Sequence, residues 1–81
     1  MTEKELRVFR ESLRCLTFQG ISIKAFAVQI HIRPKTLYNY ISGQRPSAKH
    51  YTYILYRIEK EYPAAFAQGQ ELAARQSQEG L

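Results

Sequence analysis

Between Pro34 and Gly43 the chain reads KTLYNYIS, and this bracketed run constrains the fold more than any other feature. Proline has no amide hydrogen to donate, which is harmless only where a helix begins and no donor is needed. Glycine at the other end supplies the left-handed backbone that closes a helix and that other residues resist. A strand would need hydrogen-bonded neighbours, and nothing else in the sequence shows sustained alternation. The run is therefore expected as a short helix over about residues 34–42. Leu37 and Ile41, one turn apart, face inward; Lys35, Tyr38, Asn39 and Ser42 face outward.

The rest of the chain reads as helices too. Leu6, Phe9, Leu13 and Leu16 are spaced 3, 4 and 3 apart, an apolar stripe over residues 3–18 with charged side chains opposite. Thr2 is placed to cap it, Glu3 and Glu5 suit its positive end, and Gly20 stops it. Ser22 caps a second short helix whose inner face is Phe26, Ala27 and Ile30. Pro46-Ser47 opens a fourth, to about Glu61, with Tyr51, Ile54, Leu55 and Ile58 as its stripe. Tyr40 is expected against neighbouring helices, with Tyr53 and Tyr56 on outer flanks. Pro63 ends this helix or begins another, helix-prone to about Arg75 with Phe66 and Leu72 as its only large apolar groups, and the last five or six residues are expected to fray. The fold class that follows is all-α, a compact bundle of four to five short helices. It divides into a main domain at 1–62 and a C-terminal helical extension at 63–81.

At 81 residues there is room for one small domain. The single Cys15 cannot form an internal disulfide, which suits a cytoplasmic setting, and Cys15 itself reads as a partly buried packing residue. Neither a signal peptide nor a membrane-spanning run is legible. The net charge of +5 is unevenly laid out: no acidic residue lies between Glu11 and Glu59, while Arg14, Lys24, Arg33, Lys35, Arg45, Lys49 and Arg57 do. A one-signed interval flanked by mixed ends is the footprint of a polyanion partner. Catalysis and metal binding find no support. His31, His50 and Cys15 form no ligand set, no carboxylate sits in the central region, and Glu59 and Glu61 fall on different helix faces. No enzyme, cofactor or metal is expected.

Two short helices around a tight turn, the second opening with exposed polar residues, is a helix-turn-helix arrangement. The stretch from Ser22 to Pro46, SIKAFAVQIHIRPKTLYNYISGQRP, resembles the Cro/lambda-repressor-like (XRE-type) helix-turn-helix family and aligns without a gap. The family's small residue in the first helix falls on Ala27, its apolar turn residue on Ile32 and its Thr-plus-aliphatic pair on Thr36 and Leu37. Its Gly-x-Arg-Pro ending falls on Gly43 to Pro46. The resemblance covers roughly residues 4 to 60. Three positions depart from the family pattern. His31 replaces the turn glycine and must hold a positive φ, Ile23 replaces a frequent glutamine, and Pro34 replaces a polar base-reading residue.

What the resemblance implies is a bacterial or phage transcription regulator, typically a repressor, that binds operator DNA through the helix at about 34–42. Lys35, Tyr38 and Asn39 are the expected base readers: lysine toward guanine, asparagine toward adenine, the tyrosine ring toward a thymine methyl. Lys24, Arg33, Thr36, Arg45 and Lys49 are the expected phosphate contacts, which set register and supply salt-dependent affinity. Double-stranded DNA and a second copy, in a weak homodimer, are the expected partners. Phe66 and Leu72 are offered to that dimer, the alternative being that Phe66 folds back on the domain's own core. The alternative is a helix-turn-helix protein that binds another regulator, as an antirepressor or antitoxin-like partner does.

Overall fold

The computed structural model describes residues 1–79, with side chains through Gln76. Five helices follow in order: α1 (Glu3–Phe18), α2 (Ile23–Ile30), α3 (Pro34–Ile41), α4 (Ala48–Glu61) and α5 (Pro63–Glu79). The fold is all-α, and no strand occurs among the described residues. No helix is long and apolar enough to cross a membrane among those residues.

Local chemistry sets the boundaries. Thr2 Oγ1 accepts from the Glu5 amide at 3.1 Å, and the Glu5 carboxylate accepts from the Thr2 amide at 2.9 Å, closing a reciprocal box at the start of α1. Ser22 Oγ accepts from the Ala25 amide at 3.0 Å, and Ser47 Oγ from the His50 amide at 3.2 Å, starting α2 and α4 in the same way. Pro34 is the first residue of α3, whose N-cap Arg33 gives no side-chain hydrogen bond. His31 closes α2 at φ 59°, so a non-glycine does take the left-handed conformation in the turn. Gly43 follows α3 with φ 124°.

The core contains Phe9, Leu13, Leu16, Phe26, Ala27, Ile30, Leu37, Tyr40, Ile54 and Ile58, and Ile41, Tyr51 and Leu55 pack against it partly buried. Burying a large apolar side chain contributes about 1.5–3 kcal/mol, so the α1 and α4 stripes carry much of the fold's stability. The sequence stripe of α1 is buried as expected, yet Glu11, Ser12 and Cys15 are buried as well. Their burial comes from α5, which packs along α1 more extensively than any other helix pair does. Ala65, Gly69 and Ala73 recur every fourth residue on the buried side of α5, and such small side chains let two helix backbones approach closely.

Phe66 and Leu72 pack against this same core, so of their two expected roles folding back is the one observed. The helix also continues past Arg75 to Glu79, where fraying is expected from the sequence. The remainder of that expectation, at residues 80–81, lies outside the described residues.

Candidate nucleic-acid interface

α3 is a helix of 8 residues held by its inner side. Leu37 is fully buried and Tyr40, one turn on, is buried with its ring edge-on to Phe9 at 5.8 Å between centroids. Tyr40 Oη lies 2.6 Å from His50 Nδ1, tying α3 to the first turn of α4. Burial pushes the Tyr40 phenol's pKa up, so its hydroxyl keeps its proton. With one side pinned by apolar packing and a hydrogen bond, the orientation of the opposite side is fixed.

That opposite side presents Lys35, Tyr38 and Asn39, all exposed, on successive turns of one helix. The expected base readers therefore share a face. Tyr38 is 51% exposed, one of few large aromatic side chains left in solvent. The expected phosphate residues lie on α2, on α3 itself and on the loop and helix that follow it. Lys24 lies exposed in the first turn of α2, Arg33 is exposed at the N-cap of α3, and Thr36 is half-buried in its first turn. Lys49 is exposed in the first turn of α4, and Arg45 is exposed in the loop between α3 and α4.

Arg45 and Arg57 are already engaged. Arg45 donates to the Met1 carbonyl at 3.3 Å and lies 3.5 Å from the Glu3 carboxylate, so the start of α1 shares it with any phosphate. Both partners are exposed, and such pairs exchange at little cost. Arg57 is tied to Glu61 and to the Tyr53 hydroxyl, and the Glu61 carboxylate holds its guanidinium pKa above the usual value. Tyr53 itself donates to the Ile30 carbonyl at 3.2 Å. That tyrosine braces α2 against α4. Tyr56 is 55% exposed with the Lys60 ammonium over its ring.

Ile23, standing where the resemblance gives a glutamine, is buried and takes no part in the outer surface. The sequence reading missed a further basic group on α1. Arg7, Arg10 and Arg14 line one cavity with Glu11 and Gln76, and Arg14 donates to the Ile41 carbonyl at the end of α3 at 3.4 Å. The signal was their 3 and 4 spacing along the helix. Those arginines fall among the charged side chains opposite the apolar stripe.

In sum the geometry offers a short helix pinned from behind with three exposed polar or aromatic side chains, and exposed basic residues on its own N-cap and on the neighbouring elements. No protein-family model, curated protein or solved structure matches this chain.

Proposed function

We propose that the protein is a DNA-binding transcriptional regulator of bacterial or phage type that inserts the outer face of α3 into the major groove. The observation that carries this reading is the common face of Lys35, Tyr38 and Asn39 on a helix pinned from behind, inside an interval without a single acidic residue. Lys35 and Asn39 carry the groups that recognise guanine and adenine edges, and Lys24, Arg33, Thr36, Arg45 and Lys49 flank them as phosphate contacts. A helix this short spans few base pairs. Useful selectivity follows from two copies on half-sites about 10 base pairs apart, in a weak dimer acting in the cytoplasm.

Titration of a duplex pool against salt tests the reading. With about six phosphates contacted, log affinity falls against log salt with a slope near −5. A flat titration, or no binding at low salt, defeats it.

That result would favour a second reading, a regulator-binding protein of antirepressor or antitoxin-like type. Ile23 buried and Pro34 at the first position of α3 both remove polar side chains from the groove-facing region. Phe18 and Val28, at 69% and 67% exposure, give such a partner apolar contacts.

A further inference from the structure

In a chain with 12 basic and 7 acidic residues, residues 15–23 (CLTFQGISI) and 62–70 (YPAAFAQGQ) carry no charge. These stretches are far apart in sequence and meet at one corner of the fold. There α1 runs into the turn before α2, and α4 hands over to α5. Gln19 Nε2 donates to Gln68 Oε1 across the junction at 3.5 Å. A mainly apolar groove of about 350 Å³ lies at this corner, walled by Gln19, Ile21, Tyr62, Pro63 and Ala64. Glu61, the one charged residue in its lining, is already paired with Arg57. Tyr62 is a fixed wall: its ring stands edge-on to Phe26 at 6.0 Å between centroids, and its hydroxyl donates to Gln29 Oε1 at 2.8 Å.

Phe18 ends α1 and precedes Gln19 in the chain. At 69% it is the most exposed large hydrophobic side chain among the described residues. A cavity of about 150 Å³ already takes a benzene ring, so the groove has room for a phenyl group. A projecting ring and a receiving groove on one corner make a self-complementary surface. That is what a two-fold contact requires, since each copy gives and receives the same group. Charge points the same way. Two copies at +5 each repel over most of their surfaces, and an uncharged corner is where they can close. Interface centres are depleted of charged residues for the same reason.

We infer that this corner is a two-fold contact between copies of this chain, with Phe18 of each entering the groove of the other. The two rings bury at most about 150–250 Å² apiece, and about as much groove wall again. That total falls below the roughly 1,200 Å² of stable complexes, so the dimer is weak and depends on concentration. None of the residues proposed to touch DNA lines this groove. The contact supplies the surface for the dimer of the function proposed above and rests on that reading only for its use; self-association itself needs no DNA.

Sedimentation equilibrium of the full chain from micromolar to millimolar concentration is the test, run beside Phe18→Ala and Ala64→Glu. Both side chains are exposed, and a carboxylate at the start of α5 suits the helix dipole, so both variants are expected to melt as wild type does. A monomer–dimer equilibrium is expected, weakened about tenfold or more in each variant. Added salt should strengthen it by screening the repulsion between two +5 chains. A wild-type chain that is monomeric throughout, variants that dimerise as wild type does, or a dimer that salt weakens overturns the contact. If the chain stays monomeric while it binds duplex DNA, the contact falls and the DNA reading stands. If it dimerises as described and no duplex binds at low salt, the DNA reading falls and the contact stands.

Discussion

A Cβ added to Gly69 would lie 2.5 Å from Ser12 Oγ and 2.6 Å from the Ser12 backbone nitrogen, so α5 meets α1 at a crossing that only glycine permits. Alanine normally favours a helix by about 1 kcal/mol over glycine. Here the obstacle is backbone, which no side-chain rotation clears, and overpacking of this kind costs about 1–3 kcal/mol. Gly69→Ala is expected to destabilise on balance, lowering the melting temperature by several degrees. The opposite sign is expected for Ser12→Ala. Ser12 Oγ is buried without a hydrogen-bond partner among the described residues, so removing it is neutral or stabilising by up to about 1 kcal/mol. Thermal melts of both variants check the pair; a Ser12→Ala protein clearly less stable than wild type would show that the hydroxyl is bonded.

The same packing sets the fate of a chain cut after Tyr62. Such a chain loses Ala65 and Ala73 from the interior, along with the partly buried Phe66 and Leu72, and exposes Cys15 and Ser12 on α1. With about 1.5–3 kcal/mol for each large apolar group fully buried, the loss is of the order of several kcal/mol, against a total stability of about 5–15. The truncated chain is expected to be largely unfolded or aggregated by circular dichroism. A truncated chain that stayed monomeric and melted cooperatively near the wild-type temperature would refute this.

The sequence carried the local structure well because the relevant signals are local. Thr2, Ser22, Ser47, Pro34 and Gly43 each act through a bond or a backbone angle within four residues, and all five act as read. The outward face of α3 was legible for the same reason: Leu37 and Ile41, one turn apart, mark the inner side, and the structure adds Tyr40 to it. Less legible was the second buried flank of α1. Glu11, Ser12 and Cys15 are covered by a helix about 50 residues away in sequence, and the stripe that covers them is Ala65, Gly69 and Ala73. Small residues add little to a hydrophobic pattern, so a search for large apolar groups saw only Phe66 and Leu72. The arginine cavity was hidden by the same distance, since Gln76 and Ile41 complete it from other helices.

Acid should weaken the fold through two carboxylates. The Thr2 amide, with help from the Thr2 hydroxyl, holds Glu5 below the usual carboxylate pKa, and Arg57 does the same for Glu61. A carboxyl whose folded pKa is depressed contributes stability that is complete above its unfolded value and is lost as pH falls through the folded one. The melting temperature is therefore expected to drop as pH falls below the ordinary carboxylate value of 4.5. Glu5→Gln retains an acceptor for the Thr2 amide but cannot titrate, and Glu61→Gln loses its ion pair with Arg57. Each variant should flatten part of the acid limb in melts taken across that range. Limbs identical to wild type in both would assign the acid response to other groups.

Two substitutions on the candidate interface separate reading from holding. Asn39 and Lys49 are both exposed, but Asn39 lies on the outer face of α3 and Lys49 in the first turn of α4. If the face of α3 enters the groove, Asn39 Oδ1 and Nδ2 meet an adenine edge, a bidentate match of about 1–3 kcal/mol against the wrong base. Asn39→Ala is then expected to reduce affinity for the preferred site by roughly tenfold to a hundredfold and to leave random duplex nearly untouched. Lys49 contributes charge alone. Lys49→Ala should weaken preferred and random duplexes about equally and reduce the salt slope by about one. Neither side chain belongs to the core, so both variants should melt as wild type does and the comparison is free of folding effects. Binding selection from a randomised duplex pool, followed by salt titration on the selected site, reads both quantities. Equal losses on preferred and random DNA for Asn39→Ala would remove it from the reading set, and would leave α3 holding DNA through charge without selecting a sequence.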